Sequence, residues 1–81
     1  MERQIKMLWD FRGPNAQPTA THHEVHLKEY VTMKSIPETI TGVEQLSAMH
    51  TVAFLVTNEA WVAQVREDLK PHRGQVYLPK K

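Results

Sequence analysis

Cysteine is absent from the 81 residues. That excludes disulfides, thiolate metal sites, iron–sulfur clusters and cysteine nucleophiles together. A small secreted domain usually carries bridges, so the expected setting is the reducing cytoplasm. Long apolar runs are missing too. Nothing approaches the roughly 20 residues that cross a bilayer, and the stretch from Val52 to Val56 has strand length. The opening residues, Met1 to Lys6, place charge where a signal peptide has its apolar segment, so no membrane association is expected. Charge of one sign is lacking as well. Ten basic residues face nine acidic ones, which leaves no electrostatic footprint for nucleic acid. The pair Lys80 and Lys81 reads as a solvated tail. Repeats and linkers are not found, so residues 1–81 are read as one domain, small enough to bury only about 60% of its unfolded surface.

What is present is a succession of short periodic segments. Ile5, Met7, Trp9 and Phe11 alternate with Lys6, Leu8 and Asp10, which predicts a strand with one apolar face. Arg12-Gly13-Pro14-Asn15 interrupts it with turn residues. A helix is expected from Thr19 or Thr21 to about Lys34, with Thr21 and Glu24 as a capping box and Ala20, Leu27, Tyr30 and Val31 on one stripe. Ser35-Ile36-Pro37 ends it, because the residue before a proline avoids the helical region. Two strands follow, about Ile40 to Ala48 and His50 to Thr57. The second is marked by β-branched alternation. Residues 40–49 also match helical spacing through Val43, Leu46 and Met49, so strand and helix both stay open there. Asn58 is an N-cap for a second helix with Trp61, Val62, Val65 and Leu69 on one side. Pro71 stops it, and Gln75 to Leu78 reads as a last strand ending at Pro79.

The order β-α-β-β-α-β predicts an α+β fold of the ferredoxin-like kind, a four-stranded antiparallel sheet with both helices on one face. The name describes backbone shape alone. The helices are expected to cover Trp9, Phe11, Val52 and Phe54. The other face would then carry Leu8, Ala53, Leu55 and Leu46. That is too apolar for water and predicts a homodimer paired through the open face as a dimeric α/β barrel. With no aromatic expected there, RNA recognition of the type that stacks bases on central strands is disfavoured.

Five histidines stand out, three of them within His22-His23-Glu24-Val25-His26. Histidine titrates near neutrality and is the commonest metal ligand. On a helix His23 lies about 40° from Leu27, pointing at the sheet, while His22 and His26 share the flank at i and i+4. The topology brings His50 and His72, with Asp10, Arg12 and Arg73, to the same end. Three chemistries follow. His23 is the candidate proton-transfer residue facing Trp9 and Phe11, with Asp10 as its partner if the strand twists. Trp9, Arg12, His50, His72 and Arg73 are candidates for binding a small anionic molecule. His22 and His26 are candidates for zinc, nickel or copper, with His50 or Asp10 as a third ligand. The order of the pentapeptide is not the His-Glu-x-x-His of a metalloprotease. Arg12-Gly13-Pro14-Asn15 could hold an anion at the helix start, although it lacks a P-loop pattern. A non-catalytic interaction module is the remaining class, and whether the chain is an enzyme is left open.

Overall fold

Alternation in the first segment holds over the whole of β1, Gln4–Arg12, whose Met7 and Trp9 are buried and whose Ile5 and Phe11 pack beside them. The computed structural model describes residues 3–78; the expected strand stop at Pro79 and the tail at Lys80 and Lys81 lie outside them. Helix α1 spans Ala16–Met33 and starts earlier than either threonine suggested. Thr19 and Thr21 do not cap it. Their hydroxyls donate back to the carbonyls of Asn15 and Gln17, a bond open to threonine inside a helix. Pro18 is tolerated because first-turn N–H groups have no helical acceptor. At the other end Ser35 takes φ 55°, and Ser35 and Ile36 donate to the carbonyls of Thr32 and Val31. This left-handed cap buries Ile36 against the core.

The stretch left open between helix and strand is strand β2, Ile40–Ser47, hydrogen-bonded along β3, His50–Asn58. A bulge lies between Gln45 and Ser47. The side chain of Asn58 accepts from the Ala60 N–H and opens a 3-10 turn, Glu59–Trp61, which leads into α2, Val62–Leu69. Strand β4 is Arg73–Val76, two residues earlier than expected, so Arg73 belongs to the sheet rather than to the connection. The four strands are antiparallel in the order β2-β3-β1-β4, giving an α+β fold. No helix among the described residues is long and apolar enough to cross a membrane.

Both helices pack on one face of the sheet. Leu27 and Tyr30 of α1 and Val65 of α2 meet Met7, Trp9, Ala53 and Leu55 in a single cluster. The Tyr30 hydroxyl donates to Asp68 Oδ2 at 2.6 Å and ties the helices together. Burial, reinforced by Asp68, pushes its pKa up to about 12.

The face of β3 is opposite to the one expected. Trp9 stands across from Ala53, and Leu8 across from Phe54. Ala53 and Leu55 therefore lie under the helices, while Val52 and Phe54 join Leu8 on the other face. A run from Thr51 to Thr57 with no charged residue carries no parity signal, and a one-residue shift exchanges the faces. The open face thus does hold an aromatic. Phe54 lies over Gly42, where a Cβ would come within 2.5 Å of the ring, and Lys6 Nζ sits 4.4 Å from the ring centroid. Leu8 and Val52 on that face are only 5% and 1% exposed in a single chain.

Candidate functional site

His23 points inward from α1, as the helical projection requires. Its ring lies 5.1 Å from that of Trp9 and 5.5 Å from that of Phe11, centroid to centroid. Its Nε2 is buried without a hydrogen-bond partner. Burial lowers its pKa, with further lowering from His26, His72 and His22. Trp9 is not free to meet a ligand. It is buried, and its indole N–H donates to the Leu69 carbonyl at 2.9 Å.

An unfolded imidazole titrates near 6.5, and that of folded His23 titrates lower. Stability from this residue is therefore complete above about pH 6.5 and falls as the pH drops towards the depressed folded value. Urea unfolding of the wild type and of His23→Leu should diverge in pH dependence only below that point, with the wild type losing more. Parallel curves would show that His23 does not titrate differently on folding.

Asp10 is not the partner of His23. It alternates with Trp9 and Phe11, so its carboxylate lies on the far face of the sheet. There it takes His50 Nε2 at 2.7 Å and Arg73 through Nε at 3.0 Å and Nη2 at 2.9 Å. The guanidinium holds the Asp10 carboxyl below its ordinary pKa; burial opposes this and His50 reinforces it. The backbone N–H of Asp10 donates at 2.8 Å to Nδ1 of His72, the residue just before the start of β4. A neutral His72 therefore carries its proton on Nε2. Arg12 lies across from His50 on the same face and has no ion-pair partner among the described residues.

Five histidines thus do not converge on one pocket. His50, Arg12 and Arg73 gather around Asp10 on the open face, His72 sits at the edge, and His23 lies under α1. His22 and His26 pair with each other on the outer flank, their Nε2 atoms 3.0 Å apart. The sheet separates them from His50 and Asp10, which removes both as a third ligand. The Arg12–Asn15 loop is an ordinary turn. Gly13 takes φ 106°, a conformation that suits glycine, and its N–H donates to the Met49 carbonyl.

A groove of about 430 Å³ lies between α2 and β4. Its apolar lining comes from Ile5, Met7, Val62 and Val76, and its polar rim from Arg66, His72, Arg73 and Gln75. It exists because α2 is short and because Gly74, opposite Met7, puts no side chain under the helix. No acidic residue lines it among the described residues. Arg73 is engaged by Asp10, which leaves Arg66 as the groove's cation with no ion-pair partner among the described residues. Neither Asp10 nor Arg66 was singled out for the anion site. The available signal was a carboxylate facing away from a strongly apolar strand, and an arginine one helical turn beyond Val62. No protein-family model, no curated protein and no solved structure matches the chain.

Proposed function

We propose that the domain binds a small amphipathic anion in the groove between α2 and β4. The observation that carries this reading is an apolar groove of ligand size rimmed by Arg66 and His72, with no acid lining it among the described residues. The acyl or aryl part of the ligand lies along Ile5, Val62 and Val76, and its carboxylate meets Arg66 and the Nε2–H of His72. Asp10 acts behind the site, orienting His72 through its backbone N–H and Arg73 through its carboxylate. Calorimetry with octanoate tests this. Arg66→Gln is expected to weaken binding roughly fivefold to tenfold, the worth of one charge-assisted hydrogen bond at a wet rim. Equal affinity for both proteins would remove Arg66 from the site.

A proton-transfer role for His23 is the second reading, favoured by its unpartnered buried Nε2. It requires a ligand that reaches behind Trp9, and octanoate-induced shifts of the His23 ring signals would support it. The strand order is consistent with the ferredoxin-like arrangement, which is the fold assignment we propose, in a cytoplasmic setting. Exposed Ile40 and Leu46 on the edge strand β2, with Met49 in the turn after it, favour a homodimer involving the sheet. A monomeric sedimentation coefficient at 100 micromolar (roughly the range of weak dimers,) would count against it.

A further inference from the structure

From the paired imidazoles of α1 we infer a second, independent site: His22 and His26 chelate one late first-row divalent metal ion, Cu²⁺ most tightly. The two Nε2 atoms face each other 3.0 Å apart across one turn of the helix. An ion bound at about 2.0–2.1 Å from each nitrogen sets their separation by its bite angle. Cis positions of a tetragonal or octahedral ion need about 2.8–3.0 Å, whereas tetrahedral positions need about 3.3–3.4 Å. The two nitrogens already lie close to the separation that one ion spans, and the usual affinity order of imidazole sites for divalent first-row ions puts copper first.

The surroundings are consistent with such a site. Glu29 Oε1 lies 3.4 Å from His26 Nδ1, the position of a carboxylate that keeps the Nδ1 proton in place and leaves Nε2 as the metal-facing atom. His22 makes no hydrogen bond or ion pair outside this pair among the described residues. Both rings are exposed at the surface, so a rotation about χ2, a soft torsion, points both lone pairs at one ion. With the Nε2 atoms at hydrogen-bonding distance, one proton sits between them, and a bound ion takes its place. Among the described residues no group of three or more histidines and carboxylates could hold an ion, so water completes the coordination. The site is labile and open rather than structural.

The test is titration of the metal-free chain with CuCl₂, NiCl₂ and ZnCl₂ in a non-chelating buffer, followed by calorimetry and by imidazole NMR signals. The expected result is one ion per chain, copper bound more tightly than nickel or zinc, and first broadening at the His22 and His26 rings. His22→Gln and His26→Gln should each weaken copper binding roughly tenfold or more by ending chelation. Both positions are exposed, so a circular dichroism spectrum like that of the wild type should accompany the loss. Copper affinity unchanged in the two variants, or no broadening of those rings at a tenfold excess of copper (roughly the excess that saturates a micromolar site,), would overturn the proposal. Octanoate binding in the groove is read separately and does not depend on this outcome.

Discussion

Replacing Leu27 by alanine is expected to lower the unfolding free energy by about 2–5 kcal/mol, the usual range for a buried leucine. Leu27 is fully buried at the centre of the α1 face, in the cluster formed by Met7, Trp9, Ala53 and Leu55. Removing its branched end leaves a cavity between helix and sheet that neither strand can close without breaking the β1–β3 register. A domain of this size has about 5–15 kcal/mol in total, so the loss is a large share of it. In a thermal scan it corresponds to roughly 10–30 °C. Leu27→Met, which keeps the volume, should cost less than about 1.5 kcal/mol. A urea midpoint for Leu27→Ala near that of the wild type would contradict the packing of α1 on this sheet.

Asp10→Asn is expected to cost about 2–3 kcal/mol, because one carboxylate serves three charge-assisted donor contacts. Its side chain is 15% exposed and that of His50 16%, so water replaces those bonds poorly. Arg73 is half exposed and contributes less than its geometry suggests. The pH dependence identifies the mechanism. An unfolded aspartate titrates near 3.9, and Arg73 depresses the folded value. The stability owed to Asp10 is therefore complete above about pH 3.9 and is lost as the pH falls through the lower folded value. The asparagine variant should lack this acid-dependent loss. If it unfolds in acid with the wild-type slope, the Asp10 network carries no net stability.

Legibility in the sequence followed the strength of each local pattern. In β1, apolar residues alternate with Lys6 and Asp10, and the structure places both sets on the faces that alternation requires. In β3 every residue from Thr51 to Thr57 is apolar or threonine, so only the cross-strand register with β1 decides which set goes under the helices. The inward turn of His23 and the flank position of His22 and His26 follow from 3.6-residue periodicity and needed no tertiary information. Asp10 was legible as an outward residue at the same end as His50 and Arg73, but its bonds to them were not. His50 reaches it through the β1–β3 register, and Arg73 through a β4 that starts two residues early. That strand is short, exposed and built on Arg73-Gly74, so no hydrophobic pattern marks its beginning. The groove beside it is likewise a product of what is missing, a side chain at Gly74 and further turns on α2, and absences of that kind have no periodic signature.

The most direct measurement of the binding account is a pair of NMR titrations of the wild type, one with octanoate and one with 1-octanol. The account predicts saturable octanoate shifts at the amides of Ile5, Val62, Arg66, Gly74 and Val76, with much weaker effects from the alcohol, which lacks the charge that Arg66 and His72 receive. Equal responses to both compounds, or shifts centred on the exposed Ile40, Leu46 and Met49 instead, would contradict it.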